Sequence, residues 1–178
     1  MKKWILVTAF ASFSITLVES QSVFLKIEGV SGEATDHNHK DWINLVSFSQ
    51  AISSPSPTAA TGAARRRGSV ILEDITCMKE LDKSSPKLAE AVCKGKVFPK
   101  VEIQMTKALS DGAGDTYYTY ELKNVMVTSY QINGTEGSAP FEEFTLSFSE
   151  IKTVYTEYDA QGRKKGNIEY SWKVEEGK

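Results

Sequence analysis

The 178-residue chain is 40% hydrophobic and 25% charged, enough to bury a substantial core and better suited to one domain than to two. Its 21 basic and 23 acidic residues, a formal net charge of −2, are scattered along the sequence, so there is no basic stripe for phosphates and no nucleic-acid partner is expected. Two cysteines are too few for a disulfide scaffold.

Residues 1–20 form a unit of their own. Lys2 and Lys3 precede the apolar run Trp4 to Val18, and Val18-Glu19-Ser20 supplies small residues at the −3 and −1 positions for cleavage before Gln21. This is the pattern of a secretory signal peptide. The run is interrupted by Thr8, Ser12, Ser14 and Thr16 and falls short of the ~20 residues a bilayer core requires, so no stable membrane insertion is expected once the signal is removed. The folded domain is then residues 21–178.

From Val23 onward, runs of β-branched and aromatic residues alternate with Gly, Pro, Ser and Asn clusters, the signature of a mainly β domain. Val23 to Glu28 is the first strand. A second run carries Trp42, Leu45, Val46 and Phe48 as far as Ile52, and its broken alternation predicts a bulge. Between the two lies Asp36-His37-Asn38-His39, the best metal candidate in the chain, with His37 and His39 on one side of an extended segment. No further histidine exists and a closed zinc site wants four ligands, so the preferred reading is a solvated polar turn shaped by Gly32 and Asp36, with no metal and no cofactor.

Ser53 to Gly68, "SSPSPTAATGAARRRG", has no core pattern and is expected to be a long loop. Ser69 to Lys79 follows as a strand. A single helix begins near Ser85, which can cap it, with Pro86 in the first turn, Leu88, Ala91 and Val92 at helical spacing, and Gly95 as a left-handed terminator. So short a helix needs a sheet to pack on. Lys96 to Ala108 presents Val101, Ile103 and Met105 on one face, and Thr116 to Ile132 presents Tyr118, Tyr120 and Leu122. In Phe144 to Ser149 apolar and hydroxyl side chains alternate strictly; the phase then shifts to Ile151. The turn Asp159-Ala160-Gln161-Gly162 leads to a last strand, Asn167 to Val174.

Catalysis finds no support. There is no Gly-x-Ser-x-Gly elbow, and Cys93 lies near a helix C-terminus, where the dipole disfavours a thiolate. The pairs Glu142-Glu143 and Glu73-Asp74 point to opposite faces of a strand and read as solvated edges or interface charges. Gly112-Ala113-Gly114 lacks the Lys-Ser or Lys-Thr of a phosphate loop. Asn133-Gly134-Thr135 matches a glycosylation acceptor that is common by chance. Cys77 and Cys93 either pair, if the chain is exported, or serve as small buried apolar residues, the preferred reading. The chain is not expected to be an enzyme.

Three stretches, "FLKIEGVSGEATDHNHKDWINLVSFS", "CMKELDKSSPKLAEAVCKGKVFPKVEIQM" and "YYTYELKNVMVTSYQING…FEEFTLSFSEIKTVYTEYDAQGRKKG", occur in order over about residues 23 to 175. Together they resemble the hemolysin-coregulated protein (Hcp) family, tube-forming subunits of the bacterial type VI secretion system. The resemblance implies a compact two-sheet β-barrel with one short flanking α-helix, hexameric rings that stack into a hollow tube, and a tube that meets sheath and spike proteins and carries effectors. It gives the loop after the second strand a part in ring stacking, which by position assigns Thr58, Arg65, Arg66 and Arg67. It also places His37 and His39 in a turn, with His39-Lys40 and Trp42 entering the second strand. The N-terminal signal departs from the family, whose members assemble in the cytoplasm before secretion. A functional signal instead implies an exported paralogue acting as a periplasmic or secreted binding protein.

Overall fold

The computed structural model describes residues 21–54, 70–108 and 114–174. The expected signal peptide and the loop residues Thr58, Arg65, Arg66 and Arg67 lie outside them.

Strand β1 (Gln21–Ile27) is followed by three short strands, β2 (Ile43–Leu45), β3 (Ser47–Ser49) and β4 (Ile52–Ser53). The expected second strand is thus divided. Val46 is the residue that breaks it: Ile43 and Leu45 are buried, Val46 turns outward, and its N–H donates to the Met78 carbonyl at 2.8 Å. Next come β5 (Ile71–Leu72), β6 (Ile75–Glu80), helix α1 (Ser85–Lys94), β7 (Val97–Ala108), β8 (Gly114–Asn133), β9 (Phe141–Ser147), β10 (Glu150–Tyr158) and β11 (Lys164–Lys173).

Nine strands form one antiparallel sheet in the order β2-β1-β7-β8-β9-β6-β3, with β10 also on β8 and β11 on β10; β4 and β5 pair separately. The 20-residue β8 serves both walls of the molecule. Its first half, Tyr118 to Lys123, lies beside β10, and its second half, Met126 to Asn133, lies beside β9. The change of partner falls at Asn124, which has φ +50°, opposite a prolyl residue, Pro99, that has no N–H to give a ladder. Burial shifts phase here on both strands: Leu122 then Val125 on β8, Val101 then Phe98 on β7. Ser149 fills the corner, accepting from the Asn124 side chain and donating its backbone N–H to the Lys123 carbonyl. This corner accounts for the phase shift between Phe148 and Ile151.

The two ends of the strand order, β2 and β3, are successive halves of one run, residues 43–49. The sheet therefore wraps into the expected barrel-like, mainly β fold, with its pairings interrupted at Val46. The core fills the interior with Leu25, Ile43, Ile75, Phe98, Ile103, Phe144 and Leu146.

Helix α1 packs on β8, burying Leu88 and Ala91. Full burial of a leucine contributes roughly 1.5–3 kcal/mol, which supports a ten-residue helix that would not persist alone. Its cap position is Ser84, one residue before the expected Ser85. Ser85 instead accepts the Asp82 backbone N–H, while Ser84 donates to the Asp82 carboxylate. Gly95 ends the helix at φ +57° as expected.

Candidate assembly surface

Two polar clusters lock the parts of the fold that carry its exposed surfaces. At the end of β6, the Lys79 ammonium lies 2.6 Å from a Glu142 carboxylate oxygen on β9, with side chains 1% and 0% exposed. It also meets Asp82 at 2.8 Å and the Glu80 carbonyl at 2.8 Å. The other Glu142 oxygen accepts the Tyr130 hydroxyl at 2.7 Å. Burial, and then that bond to a carboxylate, push the Tyr130 phenol upward. Glu142 is therefore no solvated edge charge, contrary to the sequence expectation. Lys79 and Glu142 are direct cross-strand partners, and each continues a buried period-2 face: Ile75, Cys77, Lys79 on one strand and Glu142, Phe144, Leu146 on the other. That shared phase is the signal by which the pair is detectable in sequence.

The second cluster corrects the reading of the histidine turn. The Asp36 carboxylate does accept the Asn38 and His39 backbone N–H groups, and His37 is exposed. His39, however, is buried. Its ring stacks on Phe24 at 4.2 Å between centroids, meets the edge of Trp42, and faces Asp36 through Nδ1 (2.6 Å) and Gln104 through Nε2 (2.9 Å). Gly32 permits the close return of this loop, since a Cβ there would lie 2.3 Å from the Trp42 carbonyl oxygen. Among the described residues no three His, Cys, Asp or Glu side chains are placed to hold a metal ion. Both cysteines are free: Cys77 is buried as expected, but Cys93 is exposed on α1.

The outward face of β1, β7, β8 and β10 is a ladder of charges, Lys26, Glu102, Glu121 and Lys152 lying in register. Cross-strand pairs neutralise it, among them Lys123 with Glu150 at 2.7 Å and Lys152 with Glu169 at 2.9 Å. The opposite face behaves differently. Val101, Leu122, Ile151 and Trp172 form one row across β7, β8, β10 and β11, and the first three are buried. Two rows further along the strands, Met105, Tyr118, Tyr155 and Ile168 share a register. There the core face runs out into solvent, with Ile168 70% exposed and Tyr155 and Tyr170 also exposed. Among the described residues strand β11 pairs only with β10, and none of them covers its ten-residue outer edge.

Among the described residues, no helix is long and apolar enough to cross a membrane. The described residues define a wrapped β domain whose prominent features are surfaces: an unpaired edge strand, an uncovered apolar face and a self-neutralised charged wall. Comparison with known proteins specifies this class. The family model described as "Type VI secretion system effector, Hcp" matches residues 24–155. The Hcp1 protein of Pseudomonas aeruginosa is 30% identical over 154 residues, covering 85% of this chain and 94% of that relative. Among solved structures, a type six secretion system protein superposes with a TM-score of 0.81 at 27% identity, over 89% of this chain and 99% of its own. Hcp1 from Salmonella typhimurium gives 0.68 at 25% identity, over 89% and 97%. The chain belongs to the Hcp family of type VI secretion system proteins, as its sequence motifs implied.

Proposed function

We propose that this chain is a structural tube subunit: six copies close into a ring, rings stack into a hollow tube, and the tube carries effectors while meeting sheath and spike proteins. The observation that carries this reading is the open edge and uncovered apolar face of the β10–β11 hairpin, on a chain whose family belongs to that secretion system. A patch continuous with the core and open to solvent is characteristic of a surface covered in an assembly. The role needs no reactive pocket. Thr58, Arg65, Arg66 and Arg67, which fall between β4 and β5 in the sequence, contribute to stacking between rings under this proposal.

Light scattering coupled to size-exclusion chromatography on residues 21–178 tests it. A mass about six times the protomer, with rings visible by negative-stain electron microscopy, is the expected result. Loss of stacking, with rings intact, is expected when residues 58–67 are deleted. A strict monomer at high concentration would overturn the tube reading. That outcome favours the second reading, an exported binding protein, which rests on Lys2, Lys3 and the apolar run from Trp4 to Val18. N-terminal sequencing of protein from fractionated cells distinguishes export through residues 1–20 from cytoplasmic assembly followed by secretion.

A further inference from the structure

A ring is built by a head-to-tail contact, so each subunit must carry two different patches that fit one another. One is the β10–β11 hairpin, where Tyr155, Ile168 and Tyr170 continue the core face into solvent. Its turn is basic. Arg163 and Lys165 are held by Asp159 and Glu157, whereas Lys164 is exposed and has no ion-pair partner among the described residues.

The complementary features lie where β2 leaves the sheet and β6 ends. A groove of about 310 Å³ runs between Glu33, Val46, Glu80 and Leu81. Val46 and Leu81 are 56% and 40% exposed, two apolar side chains in a groove that Glu33, Asn44, Glu80 and Asp82 also line. The Glu80 carboxylate is exposed and unpaired among the described residues, unlike its neighbour Asp82, which is bound to Lys79. Below the groove, the buried Lys79 and Glu142 pair fixes the end of β6, so the rim is presented on a rigid support. Within one subunit neither patch covers the other.

We propose that the hairpin of one subunit docks into this groove on a second copy of the chain, Tyr155, Ile168 and Tyr170 meeting Val46 and Leu81 while Lys164 pairs with Glu80. Apolar side chains supply the buried centre, and the opposite charges at its margin fix the orientation and exclude hairpin-to-hairpin pairing, which would set like charges together. The contact rests on the ring reading and names the surfaces that make it.

Charge reversal tests the pairing. Lys164→Glu and Glu80→Lys are each expected to weaken assembly by about tenfold or more, read as a shift of the light-scattering mass to lower values on dilution. The double variant is expected to recover the wild-type mass. Thermal melts of the four proteins separate lost assembly from lost folding. As a measurement needing no variant, carbodiimide treatment of the wild-type assembly is expected to give an intersubunit amide between Lys164 and Glu80, identified by mass spectrometry. Folded single variants that assemble as wild type, a double variant that stays dissociated, or absence of the cross-link in an intact ring overturns the contact and leaves the tube reading standing. A wild-type chain that never forms a ring overturns both.

Discussion

Lys79 and Glu142 oppose one another across β6 and β9 at 2.6 Å, each almost wholly removed from water. A buried pair is not in itself a large stabiliser, because desolvation of the two ions offsets their attraction. Removing one partner is another matter. Lys79→Met leaves a buried carboxylate with only Tyr130 to satisfy it and is expected to cost about 3–5 kcal/mol. The double variant Lys79→Met/Glu142→Leu, which removes both ions, is expected to lose much less. Urea unfolding of the three proteins measures this; a single variant within about 1 kcal/mol of wild type would contradict the described network.

Acid is expected to loosen the two polar clusters. Burial raises the Asp36 carboxyl, but hydrogen bonds from the His39 ring and the Asn38 and His39 backbones outweigh it, and the net shift is below the ordinary 3.8. Asp82 is likewise lowered: Lys79 and Ser84 overcome its burial. A carboxylate depressed in the folded state contributes stability that is complete above its unfolded pKa and is lost as pH falls through the folded value. The melting temperature is therefore expected to hold between pH 6 and about 4 as far as these two groups are concerned, and to drop below it. Asp36→Asn should start lower at neutral pH and show a shallower acid limb, measured by melts across pH 6 to 2.

The two thiols should differ in reactivity. Burial pushes the Cys77 thiol far upward, whereas Cys93 is exposed. Titration of the reduced protein with a chromogenic disulfide is expected to give one fast thiol in the native state and two in denaturant, since only an accessible thiolate reacts. Two fast native thiols would place Cys77 at the surface.

Gly32 offers a test of backbone packing. An alanine Cβ would collide with the Trp42 carbonyl and with the Ile43 Cα at 2.5 Å, both backbone atoms. Gly32→Ala is expected to cost at least about 2 kcal/mol, a fall of roughly 4–8 °C in Tm for a chain of this size. His37→Ala, at the exposed histidine of the same loop, should change Tm by little.

Most of the strands were legible because one face is apolar. Phe144, Leu146 and Phe148 alternate with hydroxyl residues and are buried as the period requires. The helix was legible from Pro86 and Gly95, which mark its ends by local backbone chemistry. What escaped was set by distant partners. His39 looks like a turn residue, and only its stacking on Phe24 and its contact with Gln104, 65 positions away, draw it inside. Glu142 looks solvated beside Glu143 until the register with Lys79 is known. Lys164 to Gly166 have weak strand propensity, yet β11 begins there because β10 supplies the ladder. The apolar face and unpaired charge proposed for docking share this character: residue types alone do not show that Ile168 is bare while Trp172 is half-covered.

The run from Ile43 to Ser49 carries a consequence for how the chain folds. Its first half is bonded to β1 and its second to β6, strands about 50 residues apart in sequence. Around the rest of the sheet β1 and β6 are linked through β7, β8 and β9, so this short ribbon completes the circuit, like the last rivet in a hoop. A slip of one residue there would turn Ile43 and Leu45 toward water and Val46 inward, and the hoop would stay open.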